Sequence, residues 1–130
     1  MIPFRCDLEA GSPVHEQVAF AARKAIVSGK LRPGDAFPSV RALSKAIKIH
    51  ANTAQKVVGQ LIAEGLLEAR PGIGTVVCAP ANGARSDRSR LLTRNVEQLT
   101  VEAMQLGLTL EEVQSAVDAT WRRLRREDGR

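Results

Sequence analysis

The sequence is poor in aromatic residues and in cysteine. Its 130 residues include three Phe, one Trp and no Tyr, so it has no row of aromatic rings on which the bases of RNA or single-stranded DNA could stack. The two cysteines, Cys6 and Cys78, are too few for a disulfide framework or a zinc site. We expect both to be small buried hydrophobic residues in extended segments, where they become neighbours if those segments pair.

Signals for a membrane and for enzymatic chemistry are also missing. No apolar run approaches the length of a membrane span, and the N-terminus lacks the pattern of a signal peptide. There is no nucleophile elbow, no glycine-rich phosphate loop opening a helix, and no histidine or cysteine pair at metal-ligand spacing. The two histidines, His15 and His50, do not make a catalytic set. We therefore predict a protein that is not an enzyme, with no cofactor, no metal and no membrane partner.

Acidic residues are absent from one long stretch. From Ala36 to Ala63 there are four basic residues and no acid, whereas an ordinary solvated helix usually mixes Glu with Lys. Residues 1–80 hold ten basic and six acidic residues, and residues 81–130 hold nine and eight, so most of the net charge of +5 lies in the first part. Such a positive region is typical of a surface that binds duplex phosphates. The four basic residues of the acid-free stretch are Arg41, Lys45, Lys48 and Lys56.

The pattern from Phe37 to Val77 predicts a short helix, a tight turn, a longer helix and a small hairpin. Ser39 is placed to cap the first helix, and Gly65 lies just past the end of the second. Two apolar runs then flank a turn at residues 70–74, which contains Pro and Gly. Helix, turn, helix and hairpin together predict a winged helix-turn-helix. The apolar positions at helical spacing are Val40, Leu43, Ala46 and Ile47 in the first helix, and Ala54, Val57, Val58, Leu61 and Ile62 in the second.

The residues before this stretch predict an arm and one more helix. Residues 2–8 read as a short extended arm. Ser12 is placed to cap a helix that has Pro13 at its first position and stops at Gly29. We expect Phe37, which follows the next turn, to lie in the core.

Several segments resemble the N-terminal DNA-binding domain of the GntR family of bacterial transcription regulators. The combination of P-G-D-x-x-P-S-x-R-x-L with N-T and with G-x-G-T-x-V is specific to that family. The resemblance covers about residues 3–78, and the short remainder points to the YtrA-like subfamily, whose members carry only a small helical tail. The segments are P-V-H-E-Q-V (13–18), L-R-P-G-D-A-F-P-S-V-R-A-L-S (31–44), A-N-T-A-Q-K-V-V (51–58), L-I-A-E-G-L-L-E (61–68) and R-P-G-I-G-T-V-V (70–77).

The resemblance implies which residues contact DNA. Arg41 matches the arginine that reaches DNA from the helix before the recognition helix, and Gly72 matches the tip of the wing, which enters the adjacent minor groove. Arg70 anchors the wing on a phosphate or, alternatively, pairs with Glu68 or Glu64. The implied DNA-binding residues are Arg41, His50, Ala51, Asn52, Thr53, Gln55, Lys56, Arg70, Gly72 and Gly74.

Three residues depart from the family pattern. Ala51 stands where many members place an arginine that reads bases, so the operator should differ from theirs. His50 stands at the helix N-cap, where Ser, Thr or Asn is usual, and three roles stay open for it: a weak cap, a phosphate contact or a titrating switch. Pro71 replaces a basic or polar residue of the wing, which implies fewer wing contacts.

The last third of the chain predicts a linker and two helices. Small and polar residues mark residues 79–88 as a linker, and the helical pattern returns in residues 89–130. Thr109 and Glu112 make a capping box for the second of these helices. A tail this small cannot bury two apolar stripes on itself, so we predict dimerisation; the alternative is a tail folded back on its own domain. The stripe residues are Leu92, Val96, Leu99, Ala103, Leu106, Val113, Val117, Trp121 and Leu124.

Together these features predict a mainly α-helical protein, with a winged helix-turn-helix DNA-binding domain at residues 1–78 and a C-terminal two-helix dimerisation tail. The predicted function is that of a cytoplasmic bacterial transcription regulator, a repressor, that binds a palindromic double-stranded DNA operator as a homodimer and is nucleoid-associated when bound. A small-molecule effector, if one acts, binds at the dimer interface or between tail and domain. Two alternatives stay open: a nucleoid-type binder without sequence preference, and a winged helix used for protein contacts.

Overall fold

Six α-helices and one antiparallel hairpin make up the described part of the chain, which is residues 2–78 and 85–128 of the computed structural model. The chain divides between Cys78 and Arg85 into two units. In the first unit, helices α1 (Val14–Val27), α2 (Val40–Ile47) and α3 (Ala51–Ala63) precede strands β1 (Leu67–Arg70) and β2 (Gly74–Val77). This order confirms the predicted winged helix-turn-helix.

The core of the first unit is aliphatic apart from one aromatic pair. Phe4 and Phe37 stack with their ring centroids 5.8 Å apart, so the N-terminal arm packs on the segment that leads into α2. The predicted burial of Phe37 is confirmed, whereas Ala46 and Ile62 are exposed and Val40 and Ile47 are half-buried. The core residues with the least exposure are Val18, Ala19, Ala22, Leu31, Leu43, Ala54, Val57, Leu61, Leu67 and Val77.

The helix ends follow local side-chain and backbone chemistry. The hydroxyl of Ser39 accepts from the backbone N–H of Ala42 at 3.0 Å, which confirms the predicted cap of α2. The predicted cap at Ser12 is wrong, because Pro13 precedes α1 and no side chain caps it. The carbonyl of Ser12 instead accepts from Nε2 of Gln17 at 2.9 Å. That amide also exchanges two hydrogen bonds with the backbone of Glu9, each 2.7 Å, and thereby fixes the arm.

The wing is a hairpin joined to the turn before α2. Strand β1 pairs with β2 in a register that places Leu67 opposite Val77 and Arg70 opposite Gly74. Residues 34–37 lie along the other edge of β2: the N–H of Phe37 donates to the carbonyl of Thr75, and the N–H of Val77 donates to that of Asp35, both at 2.9 Å. The wing is thus tied by its backbone to the residues that start the helix-turn-helix.

The N-terminal arm does not join a sheet. In the described residues the only sheet is the β1–β2 hairpin, so the strand pairing that would make the two cysteines neighbours is not formed. Cys6 and Cys78 are both free and partly buried. Burial, with a smaller contribution from the Asp7 carboxylate, raises the pKa of the Cys6 thiol.

The second unit consists of helices with short breaks. Helix α4 (Arg85–Arg90) continues through a π-helical segment (Leu91–Asn95) into α5 (Val96–Gln105), and α6 (Leu110–Asp128) follows. Helix α4 therefore begins inside the segment expected to be a linker, of which residues 79–84 lie outside the described residues. Within the described ranges, no helix is long and apolar enough to cross a membrane.

The start of α6 was predicted correctly, and the segment before α5 is π-helical. Thr109 accepts from the backbone N–H of Glu112 at 3.1 Å, as its capping role requires. In the π-helical segment the N–H of Val96 donates to the carbonyl of Leu91, five residues earlier rather than four. The residue one turn before Val96 is therefore Leu91, whereas three-and-four spacing selects Leu92; both side chains are exposed.

Candidate nucleic-acid interface

The start of α3 presents an open polar surface. One side of this helix buries Ala54, Val57, Val58 and Leu61 in the core. The helical period then turns the intervening residues outward. The outward residues include four that are exposed, Ala51, Asn52, Gln55 and Lys56, and one that is half-buried, Thr53.

The cations around this surface are not neutralised. Arg41, Lys45, Lys48 and Lys56 are all exposed, and among the described residues none of them makes an ion pair. Arg41 lies in the first turn of α2, which holds no acidic residue. A cation at that end of a helix is unfavourable for the helix dipole. An external anion would remove this cost.

His50 caps α3 with a ring nitrogen. Its Nδ1 accepts from the backbone N–H of Asn52 at 3.1 Å, which settles the capping role among the three that the sequence left open. A nitrogen that accepts this bond carries no proton, so the neutral ring has its proton on Nε2. The imidazole of His50 therefore satisfies one backbone N–H in the first turn of α3, and its other ring nitrogen remains a hydrogen-bond donor.

The wing carries one cation, which is paired. Nε of Arg70 lies 2.6 Å from Oε1 of Glu68 on the same strand, so the internal pairing is the alternative that the structure contains. The N–H of Ile73 donates to the carbonyl of Arg70 at 3.0 Å and closes the turn. Gly72 and Gly74 adopt φ angles of 77° and 111°, which favour glycine. The two predicted wing glycines thus shape the tip.

A contact that the sequence analysis missed supports the far end of α3. Arg23 on α1 binds Glu64 through two hydrogen bonds of 2.9 Å each, Nε to Oε1 and Nη2 to Oε2. Nε2 of Gln60 also donates to Oε2 of Glu64 at 3.3 Å. Arg23 and Glu64 are 41 residues apart, and no periodic pattern in the sequence could have paired them.

Apolar side chains of the second unit remain open to solvent within one chain. Of the nine predicted stripe residues only Ala103 is buried, at 6% exposure, and Val113 and Leu124 are half-buried. Leu106 at the end of α5 is 76% exposed and Trp121 in α6 is 65% exposed. The exposed members of the predicted set are Leu92, Val96, Leu99, Leu106, Val117 and Trp121.

Comparisons with known proteins agree with this geometry. Residues 14–77 match the model of a family described as bacterial regulatory proteins, gntR family. The uncharacterized HTH-type transcriptional regulator YhcF of Bacillus subtilis (strain 168) is 30% identical over 105 residues, which are 81% of this chain and 87% of YhcF. The chain belongs to the GntR family. It resembles the HTH-type transcriptional repressor YtrA of the same organism at 29% identity over 108 residues, 82% of this chain and 83% of YtrA.

Solved structures of other proteins have folds similar to that of this GntR chain. A transcriptional antiterminator from Listeria monocytogenes EGD-e shares its fold, with a TM-score of 0.79 over 94% of this chain and 92% of the other at 21% identity. The DNA-binding domain of AraR, solved in complex with operator ORE1, is 28% identical and covers 58% of this chain and 94% of its own, with a TM-score of 0.50. The curated GntR relatives are named as transcription regulators, which agrees with the prediction that this protein is not an enzyme.

Proposed function

We propose that this GntR regulator binds a specific double-stranded operator as a homodimer and represses the promoter that contains it. The observation that carries the proposal is the exposed, acid-free surface formed by α2, the turn after it and the start of α3. Its cations make no ion pair within the part of the chain that the structure describes, and its polar groups have the donors and acceptors that base edges and phosphates need. The AraR domain solved with its operator supports the assignment of DNA as the partner.

In the proposed complex, α3 enters the major groove by its N-terminal end. Asn52, Thr53 and Gln55 face the base edges, because these side chains both donate and accept hydrogen bonds. Lys56 contacts the phosphate backbone, and Ala51 offers only a methyl group to the groove. The complex therefore lacks the guanine contact that an arginine in place of Ala51 would make.

The residues around α3 fix its orientation on the duplex. Arg41 reaches a phosphate or a guanine from the first turn of α2, where an anion also relieves the unfavourable dipole interaction. His50 donates through Nε2 to a phosphate while its Nδ1 caps α3. The wing places Gly72 and Gly74 against the minor groove, where the absence of Cβ atoms permits a close approach. Arg70 remains near the phosphates as part of its pair with Glu68.

The homodimer is proposed from the exposed apolar side chains of the second unit. Such a stripe is unfavourable in water and is typical of an interface. A second copy of the chain would cover Val96, Leu99, Leu106, Val117 and Trp121 with the same residues of its own. Two-fold symmetry of the protein then implies an inverted repeat in the operator.

Repression is proposed because a dimer seated on a promoter occludes it, and because YtrA is named a repressor. An effector, if one acts, would bind at the dimer interface and would change the spacing of the two α3 helices. The measured affinity for the operator would then depend on that small molecule.

The test is selection of bound duplexes from a random DNA library by the full chain, followed by affinity measurements at two salt concentrations. We expect an enriched inverted repeat with half-sites about one helical turn apart, and a large ratio of specific to nonspecific affinity. Salt-dependent binding without an enriched sequence would replace the proposal with an architectural binder. Absence of binding to every duplex would favour a winged helix that contacts protein.

A further inference from the structure

The tip of the wing leaves one large apolar side chain exposed to solvent. Ile73 is 72% exposed, although burial of an isoleucine side chain is favourable. It lies between Gly72 and Gly74, where a Cβ at either glycine would meet no atom within 4 Å. The space beside both glycines is therefore open, and Ile73 projects from the tip without a neighbouring side chain to cover it.

The backbone holds this projection in place. The turn is closed by the bond from the N–H of Ile73 to the carbonyl of Arg70, 3.0 Å long, and Pro71 fixes one of its φ angles. The strands below the tip are fixed in turn by residues 34–37, which pair with β2. The isoleucine is thus presented by a rigid support.

Residues 71–77 at the tip and along β2 carry no charged side chain. Arg70 is the only basic residue of the hairpin, and its Nε lies 2.6 Å from Glu68. Beyond Arg70, no ionisable side chain other than Cys78 occurs up to residue 78. The surface at the start of α3, which we propose binds phosphates, differs because it carries exposed cations and no acidic residue.

These observations favour the minor groove of DNA as the surface that the tip contacts. The minor groove of B-DNA is about 6 Å wide, and the glycines on both sides of Ile73 add no side chains that would keep the tip out of it. Aliphatic side chains such as isoleucine act as wedges in minor grooves, where they contact the floor and partly unstack a base step. Guanine carries its N2 amino group in this groove, while A·T pairs leave the floor open.

We infer that Ile73 is a specificity-determining residue that reads the minor groove by apolar contact and selects A·T pairs beside each half-site. The inference rests on the proposed function and adds the sequence class that the wing reads. Since a neutral side chain releases no counterions, its contribution to affinity is independent of salt.

The test uses the full chain, the duplex that it selects, and Ile73→Ala, with Val27→Ala on α1 as the matched control, since Val27 is also an exposed aliphatic residue. We expect Ile73→Ala to lower the affinity about tenfold, as suits the loss of three aliphatic carbons from a contact. The slope of log K against log salt should stay unchanged. Val27→Ala should bind like the original chain.

Base substitutions in the duplex locate the contact. Replacing the flanking A·T pairs by inosine·cytosine keeps the open minor groove and should leave the affinity unchanged. Replacing them by G·C adds the N2 amino group and should lower the affinity for the original chain but not for Ile73→Ala. In the proposed homodimer, Ile73→Lys adds one phosphate contact at each of the two wings, so the salt slope should become steeper by about 1.8.

The outcomes separate the two proposals. Equal affinity of Ile73→Ala and the original chain for the selected duplex would overturn the role of Ile73 and leave the proposed function standing. A loss of dimer by Ile73→Ala with unchanged affinity per half-site would overturn it in favour of a protein contact. Failure of the original chain to bind any duplex would overturn the proposed function together with this inference.

Discussion

The two units of this chain place their apolar residues in opposite ways. The first unit buries a set of aliphatic residues around Leu43 and Leu61, both without exposure, and leaves polar and basic residues outside. The second unit leaves most of its large apolar residues exposed, from Leu91 to Trp121. The difference indicates that the first unit supplies its own core and presents a surface for a charged partner. The second unit leaves apolar side chains uncovered, as the proposed homodimer requires.

The largest expected effect tests the self-sufficient core of the first unit. Leu61→Ala should lower the free energy of unfolding by about 2–5 kcal/mol, because it leaves a cavity in a fully buried site. Chemical denaturation monitored by circular dichroism measures this loss. Ile62→Ala, one residue further along α3 at an exposed position, is the matched control and should cost far less. Equal losses for the two variants would contradict the burial assigned to α3.

The second prediction tests the incomplete core of the second unit. Leu99→Asp should weaken self-association by about 2–3 kcal/mol, because a carboxylate would replace a side chain buried between two copies. Sedimentation equilibrium over a range of concentrations measures the dimer constant. Val101→Asp, on another face of α5, is the control and should leave it nearly unchanged. A dimer of unaltered strength in Leu99→Asp would remove the α5 stripe from the interface.

The third prediction tests whether the unpaired cations face DNA. Arg41→Ala should weaken binding to the selected duplex by about 1–3 kcal/mol, because it removes a contact to a phosphate or a guanine. Fluorescence anisotropy with labelled duplex gives the affinity. Arg5→Ala is the control, since Arg5 is exposed in the same unit but is paired with Asp7. A change of less than a few tenths of a kcal/mol in Arg41→Ala would exclude Arg41 from the contacts.

The smallest effect concerns the ion pair between α1 and the end of α3. Arg23→Ala should lower the free energy of unfolding by about 0.5–1 kcal/mol, a modest value because about a third of each side chain is exposed. Thermal denaturation at low and high salt measures the loss and its screening. Arg23→Lys should lose part of it, since it cannot keep both hydrogen bonds. No loss in either variant would show that the pair does not stabilise α3.

The sequence contains local signals that predict most of the first unit. Ser39 caps α2 because its hydroxyl reaches a free N–H of the first turn, and the glycine after α3 takes the positive φ that its helix end requires. These features depend on neighbours within a few residues. The apolar spacing likewise predicted the buried face of α3.

Other features depend on partners that are distant in sequence or on small changes of helical period. The Arg23–Glu64 pair and the backbone bonds from residues 34–37 to β2 are made only after the chain has folded. The π-helical segment adds one residue to a turn, so a stripe extrapolated at three-and-four spacing selects Leu92 where the structure has Leu91. Ile73 was overlooked because a single apolar residue in a turn has no periodicity.

The central claim is that the start of α3 is the surface that binds DNA, and one substitution tests it most directly. Gln55→Glu puts an acid into the acid-free surface while keeping a good helix former, and Gln98→Glu makes the same change at an exposed position of α5. The measurement is the affinity of both variants for the selected duplex by fluorescence anisotropy. We predict that Gln55→Glu loses at least about tenfold through phosphate repulsion and a lost base contact, while Gln98→Glu binds like the original chain. Undiminished binding by a folded Gln55→Glu variant would contradict the claim.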